Sequence, residues 1–109
     1  MEARHIVWDS LKAIENKEKH HVSFEDVLYV FSDPRRIERR DDSEGNTSGE
    51  DRWQTVGKVD RVYFVVYTER TLGDDEQTRL ISARLANKPE RRIYHGIGRK
   101  NDKGWTKAD

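Results

Sequence analysis

The apolar positions of this chain change their period several times, and each change marks an element. Phe24, Val27, Leu28 and Phe31 fall at i, i+3, i+4 and i+7, the pattern of one helical face. Ser23-Phe24-Glu25-Asp26 precedes that run as a loose capping box, and Asp33-Pro34 closes it because proline steers its predecessor out of the helical region. Upstream, Arg4 to Trp8 reads as a short strand, and Asp9 as the N-cap of a helix over roughly Ser10 to His20. The pattern then turns to β. Val62 to Tyr67 (VYFVVY) is apolar without a break, which predicts a central strand covered on both faces. It sits in Arg61 to Arg70, paired with Arg52 to Lys58 across Lys58-Val59-Asp60, and Gly73-Asp74-Asp75 turns the chain into a last strand, Thr78 to Leu85. Arg35 to Arg40 reads as an edge strand whose charge discourages further pairing.

Asn87-Lys88-Pro89-Glu90 starts a final helix, with an Asn cap, a proline in the first turn and a glutamate three residues after the cap. That helix carries Ile93 and Ile97 four apart, and Gly96 and Gly98 weaken its end. Asp41 to Glu50 is a polar loop. The order β-α-α-β-β-β-β-α predicts an α+β fold with one mostly antiparallel sheet. A single domain is expected over residues 1–98, with 99–109 a polar tail that frays.

Composition sharpens this picture. Only 33% of the 109 residues are hydrophobic and 39% are charged, so the core must be thin, while ten aromatic residues argue against disorder. The net charge of zero conceals an asymmetry. Asp41 to Asp51 holds five acidic residues and no basic one, whereas Arg79 to Lys107 holds nine basic residues against two acidic ones. A basic C-terminal third suits a polyanionic partner. The absence of cysteine excludes disulfides, thiol catalysis and cysteine-ligated zinc. No stretch is apolar enough for a signal peptide or a membrane span, so the expected location is cytoplasmic, with no membrane partner.

No nucleotide-binding glycine loop is present, and no histidine or carboxylate pair has metal-ligand spacing, so no metal and no cofactor is expected. What remains is basic residues on regular elements. Lys12, Asn16 and Lys19 recur at i, i+4 and i+7 with His20 beside them, either a functional stripe or a solvated helix face. Arg70 ends the central strand, and Arg79 and Arg84 lie on its partner. Strict alternation puts those two on opposite faces unless a bulge intervenes. Trp8 and Trp53 fit either core anchors or base-stacking platforms. Such a set suits metal-free RNA cleavage, in which a 2′-hydroxyl attacks the adjacent phosphate. That reaction needs a base, an acid and cations around a crowded phosphorane, and histidine and arginine supply them. DNA lacks the attacking hydroxyl.

At these residues the chain resembles a known family. Trp8-Asp9, Lys12, Asn16, Lys19-His20 and Val22-Ser23-Phe24-Glu25 are similar to the opening W-D…K…N…K-H-G-V/I-S-F-E of BrnT toxins. Phe31-Ser32-Asp33-Pro34 resembles the family's F-x-D-P, and Arg52, Gly57 and Val66-Tyr67-Thr68-Glu69-Arg70 its R…G…V-x-T-E-R. Arg79-Leu80-Ile81-Ser82-Ala83-Arg84 is similar to R-I/L-I-S-A-R, and Glu90-Arg91 with Tyr94 to E-R…Y. One departure stands out: His21 occupies the place of the family's glycine. The resemblance implies a RelE-like ribonuclease fold, a mostly antiparallel sheet packed against N-terminal helices with a C-terminal helix. It also implies a BrnA-like antitoxin in a hetero-oligomer with the toxin, an RNA substrate, and operator DNA met only through the antitoxin. The expected activity is that of a metal-independent endoribonuclease toxin. Lys19 or His20 is expected to transfer protons, Arg70 and Arg84 to take phosphate charge, and Glu69 to act as base or orienter. Trp8, Lys12, Arg52, Arg79, Arg91 and Tyr94 are expected to bind RNA. As surface charges, Arg70 and Arg84 should contribute little to folding. The rival readings are a non-catalytic RNA- or antitoxin-binding module and an interaction domain with solvated charges.

Overall fold

The structure, a computed structural model, describes residues 4–42, 51–96 and 104–108. Residues 43–50 of the polar loop, together with Ile97 and Gly98, lie outside the described residues. A short strand β1 (His5–Val7) leads into helix α1 (Ser10–His20), then a 3-10 helix (Phe24–Ser32). Strands β2 (Ile37–Arg40), β3 (Arg52–Lys58), β4 (Val62–Leu72) and β5 (Asp75–Leu85) follow, then helix α2 (Lys88–His95) and strand β6 (Thr106–Lys107). The six strands form one sheet in the order β1-β5-β4-β3-β2-β6. Only β1 and β5 run parallel, so the sheet is mixed but mostly antiparallel, and the fold is α+β.

The caps form where the sequence places them. Asp9 Oδ1 accepts from the amides of Leu11 (2.8 Å) and Lys12 (3.2 Å), which starts α1 at Ser10. Ser23 with Asp26, and Asn87 with Glu90, each close a reciprocal capping box. The second helix departs from expectation in its winding. It has three residues per turn, so Phe24, Val27 and Val30 stack at intervals of three and are fully buried, while Leu28 and Phe31 turn partly outward.

β4 is central, as its unbroken apolar run predicts. Tyr63, Val65 and Tyr67 pack with Val22, Phe24, Val27 and Val30 on one face. Val62, Phe64 and Val66 pack with Val56, Tyr94 and Trp105 on the other. Two expectations need correction at the far edge. β2 is not an edge strand, because β6 pairs with it antiparallel. Nor do residues 104–108 fray. Trp105 is buried, edge-on to Phe64 and under the Arg39 guanidinium (4.3 Å), and the Ala108 amide donates to the Arg36 carbonyl. Trp105 and the small buried Ala108 thus anchor an otherwise polar segment.

Asp33 joins three elements. Oδ1 accepts from the Arg35 amide at 2.9 Å, and Oδ2 accepts from the Lys58 amide at 2.8 Å and from the Tyr94 hydroxyl. The end of the 3-10 helix, the end of β3 and α2 thus share one carboxylate. Burial pushes the Asp33 pKa up, but those hydrogen bonds outweigh it and hold the carboxyl below its ordinary value.

Two backbone positions generate predictions. A Cβ on Gly57 would lie 2.8 Å from Val30 Cγ1 and 3.2 Å from the Val30 carbonyl oxygen, so β3 and the 3-10 helix approach too closely for any side chain. Gly57→Ala should destabilise the fold by about 1–3 kcal/mol in urea denaturation; an unchanged midpoint would show that the contact relaxes freely. His21 ends α1 in the left-handed region (φ 59°, ψ 28°), the conformation that favours glycine. His21→Gly should therefore stabilise by about 0.5–1 kcal/mol, the relief of strain being partly offset by a freer unfolded chain. A lower melting temperature would contradict this account.

Candidate functional site

A bulge in β5 decides whether its two arginines share a face. Val66 pairs with Ser82 and Tyr67 with Leu80, so Ile81 is an extra residue on that strand. Directly paired residues share a face. Arg79 lies opposite Thr68 and Gln77 opposite Arg70, so Arg79 shares the face of Arg70 by regular pairing, and the bulge brings Arg84, opposite Phe64, onto the same face. Arg52 pairs with Thr68 from the other side, and Arg39 with Gln54 beside Val66. Five arginines (39, 52, 70, 79 and 84) therefore share the sheet face opposite the 3-10 helix.

They do not converge on one point. Six residues of β4 separate the register positions of Arg70 and Arg84, placing their backbones about 20 Å apart at roughly 3.3 Å per residue. Arg52, Arg70 and Arg79 lie within about 8–10 Å of one another by strand spacing. Arg52 Nε is 3.3 Å from the buried Asp41 carboxylate, and Arg70 Nε donates to Gln77 Oε1 at 3.3 Å. Arg79 has no hydrogen bond or ion pair among the described residues. Between Arg52 and Arg79, the Thr68 hydroxyl is buried with no hydrogen-bond partner.

A second cluster lies where α1 meets β5. β1 covers β5 only from Gln77 to Arg79, and beyond it Asn16 closes the open edge. Its Oδ1 accepts from the Ala83 amide and its Nδ2 donates to the Ala83 carbonyl, both at 2.9 Å, and Nδ2 also donates to Val22 O. The side chain imitates a paired strand. Asn16 is therefore a buried structural member of the polar stripe, while Lys12, Lys19 and His20 line a shallow depression of ≈ 150 Å³ with Ser82. Burial lowers the His20 pKa, and the cations of Lys19 and Arg84 and the neighbouring His21 lower it further, which favours neutral imidazole. Arg84 beside it is already engaged. Its Nη1 and Nη2 donate to the two Glu90 oxygens at 2.8 and 2.9 Å, and its Cζ stacks 4.0 Å from the Phe64 ring centroid. Since Glu90 also caps α2, this fork fastens the helix to β5, contrary to the expectation that Arg84 contributes little to folding.

The third cluster surrounds a depression of ≈ 1000 Å³ at the hairpin end of β4 and β5, where Arg4, His5, Arg70 and Gln77 share the wall with the carboxylates of Asp51, Glu69, Asp74, Asp75 and Glu76. Glu69 faces away from Arg70. It pairs with Arg4 Nη1 at 3.0 Å, and the same nitrogen donates to Thr78 Oγ1 at 2.9 Å. His5 and Asp75 escape a reading of the sequence because they are 70 residues apart and meet only through the parallel pairing of β1 with β5.

The other residues expected to contact RNA each have a partner within the fold. Trp8 packs edge-on to Phe24 at 5.8 Å, and Trp53 packs against the same core. Tyr94 is buried and bound to Asp33, its pKa pushed up to about 12 by burial and that hydrogen bond. Arg91 Nη1 donates to the Ala86 carbonyl at 2.6 Å. Among the described residues, no three His, Asp or Glu side chains lie together as a metal-binding group, and no helix is long and apolar enough to cross a membrane.

A family model described as ribonuclease toxin, BrnT, of type II toxin–antitoxin system matches residues 8–90 of the chain. A search of curated proteins gave no match.

The Arg84–Glu90 fork makes a stability prediction. Arg84→Ala should cost about 1–3 kcal/mol, because it strands a largely buried carboxylate, whereas Arg79→Ala should leave the melting temperature nearly unchanged. Equal melting curves for the two variants would show that the fork is incidental to α2.

Proposed function

Because the chain belongs to the BrnT family of ribonuclease toxins of type II toxin–antitoxin systems, we propose that it is a metal-independent endoribonuclease. It cuts RNA by attack of a 2′-hydroxyl on the adjacent phosphodiester. The observation that carries this reading is the register of β3, β4 and β5, which gathers Arg52, Arg70 and Arg79 on one sheet face with the terminal amino groups of Arg79 unengaged by described residues. Arginine forks match phosphate oxygens in pairs and stabilise the added charge of the phosphorane without a metal ion. The RNA strand runs along this face, from the hairpin end toward the corner of Lys12, Lys19 and His20, about 20 Å away by strand rise.

In this reading the fold is RelE-like and the protein acts in the cytoplasm, held silent by a BrnA-like antitoxin. An acidic antitoxin segment that covered the arginine face would compete with RNA for it. Opposite charge would speed that encounter and orient it, while apolar contacts supplied most of the affinity.

Purified protein should cleave RNA in excess EDTA, leaving a 2′,3′-cyclic phosphate and a 5′-hydroxyl. Loss of activity on chelation, restored by a divalent ion, would overturn the metal-free mechanism. Arg79→Ala should weaken RNA binding and reduce the salt dependence of affinity by about one counterion, with Arg79→Lys recovering only part. RNA bound but never cut would favour the binding-module reading instead.

A further inference from the structure

The hairpin end of the sheet holds a chain of hydrogen bonds that crosses three strands. β1 runs parallel to β5 with His5 opposite Gln77, and β4 runs antiparallel to β5 with Arg70 opposite the same residue. His5 Nδ1 lies 3.0 Å from both carboxylate oxygens of Asp75. Gln77 Nε2 donates to Asp75 Oδ2 at 2.9 Å, and Arg70 Nε donates to Gln77 Oε1 at 3.3 Å. An ionised carboxylate can only accept, so Nδ1 carries the imidazole proton of neutral His5 and Nε2 is left as a basic lone pair. That lone pair belongs to a residue in the wall of the ≈ 1000 Å³ depression. The two Nη groups of Arg70, in the same wall, make no hydrogen bond among the described residues.

A purely stabilising role explains this arrangement poorly. The side chains of His5 and Asp75 are 52% and 47% exposed, and an ion pair so well solvated contributes little to folding. The competing imidazole, His20, has beside it a guanidinium already forked onto Glu90. Among the described residues, only the hairpin end has one network that orients both a base and an arginine with donors no described residue uses.

We propose that His5, oriented by Asp75, is the group that accepts the proton of the attacking 2′-hydroxyl, and that Arg70 takes the charge of the attacked phosphate. This rests on the ribonuclease reading above. His5 Nε2 takes the 2′-hydroxyl proton as the 2′-oxygen bonds to phosphorus. The P–O5′ bond breaks with its electron pair going to the 5′-oxygen, which takes a proton from water. The hydroxide so formed is neutralised by the proton held on His5. Arg70 contacts the non-bridging oxygens throughout, and Asp75 is a positioning residue that holds the ring and fixes its tautomer.

The test compares full-length wild type, His5→Ala and Asp75→Asn on one oligoribonucleotide in EDTA. Binding is followed separately with the same oligonucleotide blocked by 2′-O-methylation. His5→Ala should lower kcat by at least about a hundredfold, with blocked-RNA binding and melting temperature unchanged, and added imidazole should restore part of the rate. Asp75→Asn should lower kcat without changing KM. Near wild-type kcat in His5→Ala, or a loss that follows weakened binding and ignores imidazole, would overturn the assignment while leaving the nuclease reading intact. A wild type that cuts no RNA would overturn both.

Discussion

The run from Val62 to Tyr67 must bury both of its faces, and the rest of the domain is arranged around that need. Tyr63, Val65 and Tyr67 require one cover, which the 3-10 helix and α1 supply. Val62, Phe64 and Val66 require another, which α2 and Trp105 supply. In a chain that is only one-third hydrophobic, neither cover extends far. The strand itself continues for five residues beyond Tyr67 as Thr68 to Leu72, and there the sheet projects past its apolar cover. Its polar end carries Arg70, with Arg79 and His5 on the neighbouring strands. The position of the candidate site therefore follows from where the apolar run stops.

Much of this was legible in the sequence because it depends on near neighbours. Caps at Asp9, Ser23 and Asn87 act over three residues, and the β3–β4 hairpin is set by its own alternation. The family, too, was legible, since its motifs are strung along the chain in order. What was hidden depends on long-range geometry. Helical periodicity alone does not distinguish the 3.6-residue winding expected for Phe24–Ser32 from the 3-10 winding found. An extra residue at Ile81 cannot be seen in an alternating pattern, yet it decides whether Arg79 and Arg84 share a face. Asp75 reaches His5 only through parallel pairing, and Trp105 finds β2 from within a polar tail.

The arginines on the shared face have divided roles. Arg84 and Arg52 are paired with Glu90 and Asp41, and the Arg84 fork joins sheet to helix. Arg70 and Arg79, nearer the hairpin, keep donors that no described residue uses. The sequence motif treats all of them alike, but the partners differ. Alanine substitutions along this face thus measure different things: fold integrity at Arg84, and charge available to a polyanion at Arg79.

Asp33 carries a consequence for behaviour in acid. Its folded-state pKa lies below the unfolded value, so its contribution to stability is fully present above the unfolded-state pKa and is lost as pH falls through the folded-state value. Protonation weakens the acceptor shared by the Tyr94 hydroxyl and the Lys58 amide. One titration event thus loosens α2 and the end of β3 together. Faster hydrogen exchange at the Lys58 amide, setting in over the same pH range as the release of α2, would record this acid-triggered opening.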